Sequence, residues 1–160
     1  MNVRNATIAD LKEIAEIERE CFPPAEAASE EVLKERLECY PNHFWLLCEG
    51  ERVLGFINGM VTDESDLSDE MYENAGMHKE DGKWQMIFGV DTRPAFQRMG
   101  YAEKVMRQVI SDAGEQGRRG LVLTCKEELI HYYAKFGFVN EGISESVHGN
   151  AVWYQMRLSF

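Results

Sequence analysis

Positive charge is scarce in this 160-residue chain: 17 Lys and Arg stand against 28 Asp and Glu, a formal net charge of −11. Such a surface repels phosphate backbones, which argues against nucleic acid as the main partner and suits a cationic ligand better. Long apolar runs are missing too. None approaches the roughly 20 residues that span a bilayer, and the opening MNVRNATIADLKE lacks the charged-then-apolar pattern of a secretory signal. The expectation is a cytoplasmic protein with no membrane partner. The four cysteines, Cys21, Cys39, Cys48 and Cys125, form no CxxC and no paired Cys/His spacing. They read as reduced thiols packed as small hydrophobes, and no metal is expected. Internal repeats and low-complexity linkers are also absent, so residues 1–160 are expected to form a single domain around one core.

What is present is a regular alternation of elements. NVRNA predicts a short first strand. From Ile8 to Cys21, the residues Leu11, Ile14, Ile17 or Glu18, and Cys21 recur at helical spacing, with Lys12, Glu13, Glu16 and Arg19 facing outward. Pro23 and Pro24 in FPPAEAAS must end that helix. Ser29 then fits the N-cap of a second helix carrying Val32, Leu33, Arg36 and Leu37. HFWLLCE and VLGFINGMV, joined at EGER, predict a hairpin. Residues 62–83 are polar and mostly acidic, with a short helical piece near LSDEMY. A stretch of this length is either a functional flap or disordered. Its Asp63, Glu64, Asp66, Asp69, Glu70 and Glu73 offer a place for a cation or simply a solvated surface. WQMIFGVDT, nearly continuous in apolar residues, predicts a central fourth strand, and LVLTC a fifth. A helix lies between them, a second (EELIHYYAKF) follows, and FVNEGIS and VWYQMRLSF close the chain as strands. The order describes a mixed α/β fold with helices on both faces of the sheet.

One stretch breaks a local rule. In TRPAFQRMGYAEKVMRQVI a glycine, Gly100, stands where a buried-stripe helix begins, with Ala102, Val105, Met106, Val109 and Ile110 on the stripe. The first turn of a helix has unpaired N–H groups and the positive end of the dipole, so it binds phosphate when the chain can approach closely. Gly100 permits that approach, Ala102 adds little bulk, and Arg98 supplies positive charge. A pyrophosphate cradle is one reading; a helix-start glycine with no ligand is the other.

The wider pattern adds to this. Gln97-x-x-Gly100-x-Ala102 after a strand and a proline resembles the acetyl-CoA loop of the GNAT superfamily of N-acetyltransferases. HYYAKFGF (His131 to Phe138) looks like that family's closing motif, and IERECF and LGFINGM are similar to its arylalkylamine acetyltransferase branch. The resemblance covers nearly the whole chain. It implies a GNAT-type, mostly antiparallel mixed sheet with a splay between the fourth and fifth strands, where the pantetheine of CoA inserts like an extra strand. The matching backbone is Val90, Asp91 and Thr92, with Gly89 a bulge position, and Arg98, Met99, Gly100, Tyr101 and Ala102 would hold the pyrophosphate. Gln97 either contacts phosphate or faces solvent. Lys126 stands where many relatives carry a cofactor-touching asparagine.

The resemblance also carries over roles in chemistry. Tyr133 matches the family's tyrosine near the CoA sulfur, where a phenol can protonate a departing thiolate; the bland reading is packing under the sheet. The two strand histidines of arylalkylamine relatives fall on Met86 and Phe88 here, so that relay is absent and these positions face the acceptor instead. Glu20, late in the first helix, and His148, in SVHGN, are the remaining candidates for the base, each with a structural alternative: a solvated carboxylate and a turn histidine. His43 and His78 are left unassigned. Phe22, Pro23 and Pro24, with Glu26 beside them, occupy the place of the mobile amine-binding loop. The expected activity is acetyl transfer from acetyl-CoA to a primary amine, an arylalkylamine in the first instance, by direct attack in a ternary complex. A peptide or protein acceptor, and a non-catalytic acetyl-CoA-binding regulator, are the alternatives, and a homodimer is open.

Overall fold

Pro23 and Pro24 divide the helical first third of the chain. The structure, a computed structural model, describes residues 1–160. Strand β1 (Asn2–Asn5) leads into α1 (Leu11–Cys21), and α2 (Glu30–Cys39) begins after the two prolines. Ser29 caps α2 as its chemistry requires, its hydroxyl accepting from the Val32 N–H at 3.2 Å. Strands β2 (Phe44–Glu49) and β3 (Arg52–Asn58) form the expected antiparallel hairpin, and β4 (Val61–Thr62) follows.

The fourth expected strand is two strands. WQMIFGVDT breaks at Phe88 into β5 (Trp84–Ile87) and β6 (Gly89–Thr92). β6 stays antiparallel to β3, whereas β5 pairs with β4 and, in parallel, with β7 (Gly120–Cys125). The β5–β7 ladder ends at Ile87 opposite Leu123; beyond it, Thr124 and Cys125 pair only with the last strand. The strand pair therefore opens like a V at Phe88, which is the splay expected between the fourth and fifth strands. One sheet runs β1-β2-β3-β6 and the other β4-β5-β7-β9-β8, with α4 (Tyr101–Glu115) and α5 (Ile130–Ala134) lying between β6, β7 and the closing pair β8 (Val139–Ile143) and β9 (Tyr154–Ser159). All pairings except β5–β7 are antiparallel. The result is a mixed α/β fold with the layout that the resemblance implies.

Both faces of the sheet are covered, and β2 shows how. Phe44, Leu46 and Cys48 face a core with Ile14, Ile17, Leu33 and Leu37 of α1 and α2, while Trp45 and Leu47 face Val105, Met106 and Val109 of α4. Burying each of those three α4 side chains stabilises the fold by about 1.5–3 kcal/mol. The Trp45 indole N–H also donates to Asp112 Oδ2 at 2.8 Å, which ties the last turns of α4 to β2.

The acidic stretch 62–83 is ordered, with α3 (Asp69–Glu73) at the expected LSDEMY piece. Leu67, Met71 and Ala75 bury its apolar side. Three of the six carboxylates named in the sequence are occupied: Asp63 pairs with Lys79, Asp66 pairs with Arg157 at 3.0 Å, and Asp69 accepts from the Ser146 hydroxyl and from the Val147 N–H. No helix of the chain is long and apolar enough to cross a membrane.

Candidate active site

At the mouth of the V lies a cavity of about 670 Å³. Its walls come from the end of α1, the loop 22–29, α2, α3, the start of β6, the end of β7, α5 and the turn 148–153. It is continuous across the splay. One half faces Ile87, Val90, Leu123, Cys125 and Tyr133; the other faces Phe88, Arg36, Asn58, Tyr72 and His148.

Of the residues singled out in the sequence, Phe22, Pro23, Pro24, Phe88, Val90, Lys126, Tyr133 and His148 line this space. Tyr133 is 7% exposed, and burial raises its phenol well above the ordinary tyrosine range, with Tyr132, Cys125 and Asp91 adding to the shift. It therefore stays protonated at neutral pH. His148 stacks on Tyr72 with 4.7 Å between ring centroids, and its Nε2 donates to the Glu26 carbonyl at 2.9 Å. Lys126 pairs with Glu26 Oε2 at 2.9 Å and lies over the Trp153 ring. Glu26 thus ties the loop 22–29 to the opposite wall through two contacts.

The other expected positions, Glu20, Met86, Asp91, Thr92 and residues 97–102, lie outside the cavity. Met86 is fully buried in the core beneath α1 and α2, because β5 is covered on both faces and the chain turns only at Phe88. Glu20 sits outside the cavity, 3.2 Å from Arg93, which also binds Glu16 and Glu13. The loop residues 97–102 lie beyond the cavity, at the start of α4. Gly100 caps the helix at φ 79°, ψ 11°, a left-handed conformation that glycine adopts without strain. Arg98 is also left-handed, at φ 64°. The Gln97 side-chain amide turns inward and donates to the Thr92 carbonyl at 3.1 Å, and the Cys21 thiol does the same at 3.2 Å. Of the β6 residues, Asp91 is turned away from the cavity and is only 2% exposed.

Sequence reasoning missed Glu18. It lines the cavity, is 5% exposed, and accepts from the Ala28 N–H through Oε2 at 2.9 Å, while Oε1 has no partner. The signal was there: Glu18 occupies a position of the apolar stripe of α1 that is shared with Ile14 and Cys21.

A second polar cluster lies away from the cavity. His43, His78 and Glu80 present nitrogen and oxygen atoms within 4.8 Å of one another. Their hydrogen bonds occupy them as a clasp. His43 Nδ1 meets Gln85 Oε1 at 2.9 Å, and His78 Nδ1 accepts from the Val61 N–H at 3.0 Å. That second bond puts the His78 proton on Nε2, which faces Glu80 and has no lone pair for a metal. Arg118 lies 3.5 Å from Glu80, adding positive charge where a cation would sit. The clasp holds the end of the acidic stretch against β2 and β5.

A split sheet, a cleft at the split and a left-handed glycine starting the following helix define an acyltransferase of the CoA-dependent kind. The sequence profile of the acetyltransferase (GNAT) family matches residues 11–138, and the chain belongs to that family. It is similar to serotonin N-acetyltransferase from Mesocricetus auratus, 26% identical over 98% of this chain and 76% of that protein. Among solved structures, the loading GNATL domain of CurA from Lyngbya majuscula superimposes with a TM-score of 0.85 at 15% identity, over 99% of this chain and 96% of that one. The GphF GNAT-like decarboxylase, in complex with isobutyryl-CoA, gives 0.83 at 17% identity, over 99% of each chain.

Proposed function

We propose that this chain transfers an acetyl group from acetyl-CoA to a small primary amine, of the arylalkylamine type, by direct attack in a ternary complex. The observation that carries the reading is the cavity spanning the splay, with a protonated phenol on one side and an unpartnered carboxyl oxygen on the other. Similarity to serotonin N-acetyltransferase and the acyl-CoA complex of the GphF protein support the two substrates. The pantetheine arm lies along the open edge of β6, with the Val90 backbone facing it and Asp91 and Thr92 continuing the strand. The N–H groups from Arg98 to Ala102 receive the pyrophosphate, with Gln97 holding the loop from behind. Backbone N–H groups on β6 polarise the thioester carbonyl.

The proton ledger is simple. The ammonium of the acceptor gives one proton to Glu18, which faces the cavity, and the freed lone pair attacks the thioester carbon. The C–N bond forms and the C–S bond breaks. Tyr133 protonates the departing thiolate and recovers its proton from the new amide nitrogen, and the proton on Glu18 returns to solvent. His148 stacks the acceptor wall with Tyr72, Phe88 and Trp153, a set suited to an aromatic cation. The Glu26 ties favour a small acceptor over a peptide tail, because they close the loop 22–29 onto the wall opposite.

Replacing Tyr133 with Phe tests the chemistry. The variant is expected to lose about 10²-fold in kcat while its affinity for acetyl-CoA is unchanged. An unaltered kcat would remove Tyr133 from the reaction.

A further inference from the structure

We propose that Glu18 and Asp91 act as one base: Glu18 takes the proton of the acceptor amine, and Asp91, directly behind it, shares that proton and raises the affinity of the pair for it. This rests on the acetyl-transfer reading above. Asp91 touches no substrate and is a positioning residue.

The geometry is that of two buried carboxyls with three of their four oxygens unpaired, the fourth, Glu18 Oε2, accepting from the Ala28 N–H. Neither oxygen of Asp91 and not Glu18 Oε1 meets an N–H or O–H donor in the protein. The two carboxyls can bond to each other only through a proton they share. A Cβ placed on Gly89 would lie 2.8 Å from Asp91 Oδ1, 3.6 Å from Asn58 Nδ2 and 3.9 Å from Glu18 Oε1, so all three groups converge where glycine contributes no side chain. Asn58 Nδ2 is itself buried without a partner. Any side chain at position 89 would press against Asp91 Oδ1.

The surroundings supply little to neutralise the pair. From α1 comes Cys21, whose thiol burial pushes up to about 11, and from α3 comes Tyr72, pushed up to about 12 by burial. Tyr133 approaches from α5 and stays protonated. Arg36 on α2 is the one cation facing the pair. Its guanidinium is directed to Asn58 Oδ1 at 3.0 Å and to the Tyr72 carbonyl at 2.7 Å, and it stacks over Phe88. Desolvation first, then the charge and hydrogen bond of Glu18, hold Asp91 well above the ordinary carboxylate range. A lone carboxylate is a poor base for an ammonium. Two that must share one proton in a buried site bind it far more firmly, which brings proton affinity closer to that of the desolvated amine.

The test is the pH dependence of kcat/KM for one amine, in wild type and in Asp91→Asn, which keeps volume and removes the charge. The wild-type acid limb should lie above the ordinary carboxyl range of about 4. In Asp91→Asn it should move down by about one pH unit or more, with kcat/KM at neutral pH lowered about 10-fold or more and acetyl-CoA affinity kept. A limb that stays in place overturns the proposal, since a merely structural aspartate would lower activity without moving it. Infrared spectroscopy of wild type with ¹³C-labelled aspartate decides the same question without turnover. A carboxylic C=O band that shifts with the label and persists above pH 6 is expected; its absence there overturns the pair. Should no amine be acetylated at all, the acetyl-transfer reading fails while the infrared result still decides the shared proton.

Discussion

An ionised Asp91 would accept no hydrogen bond in the structure and costs the fold more as the pH rises. Its folded-state proton affinity lies above the unfolded one, so the stability it contributes is complete below the unfolded value near 4 and is lost as pH rises through the higher folded one. Asp91→Asn removes that loss. Thermal unfolding of the two proteins should therefore show the variant gaining on wild type between pH 5 and pH 9; an equal difference at both would contradict the raised affinity. Single residues also mark where the sequence could be read. Gly100, Ser29 and the Pro23–Pro24 break declare themselves, because each answers a backbone requirement that few residue types meet. Glu18 and Glu20 do not. Two residues apart on α1, they are separated by roughly 200° around the axis, so one enters the cavity and the other meets Arg93, and the family resemblance points to the more exposed of the two.

Among the elements, the loop 22–29 is held by bonds that no helical or strand periodicity predicts. Glu18 fixes its Ala28 N–H, and Glu26 reaches Lys126 and His148 on the far wall. Lys126→Met removes the ion pair and leaves the backbone contact to His148. We expect kcat/KM to rise about two- to five-fold for amines with longer tails relative to the smallest substrate, in line with a part-exposed ion pair. An unchanged ratio across a homologous amine series would show that the tie does not set acceptor size. The strand WQMIFGVDT illustrates a different limit on legibility. Its continuous apolar composition located a central strand correctly but hid the break at Phe88, since Gln85, Met86 and Ile87 are buried on both faces and alternation vanishes. Met86 reads as a cavity residue only because it falls on one of the family's strand-histidine positions. Only the change of partner from β7 to β3 turns Phe88 into the cleft and leaves Met86 in the core.

Across the whole molecule, the net charge of −11 and the split sheet combine into one device. In the proposed reaction the acidic surface draws a cationic amine, the aromatic wall of Phe88, Tyr72, His148 and Trp153 receives it, and the V between β6 and β7 admits the acyl-CoA. The element order made the family and its architecture legible, because the glycine loop and the tyrosine helix lie close to their strands in sequence. The acceptor half was less legible: its walls come from α1, α2, α3 and the turn 148–153, which only folding brings together. The most direct measurement is thiol release from acetyl-CoA by the wild-type protein with aralkylamines, polyamines, amino acids and short peptides presented separately. The account predicts release with aralkylamines and little with peptides. Release with peptides alone, or with no amine while CoA still binds, would contradict it.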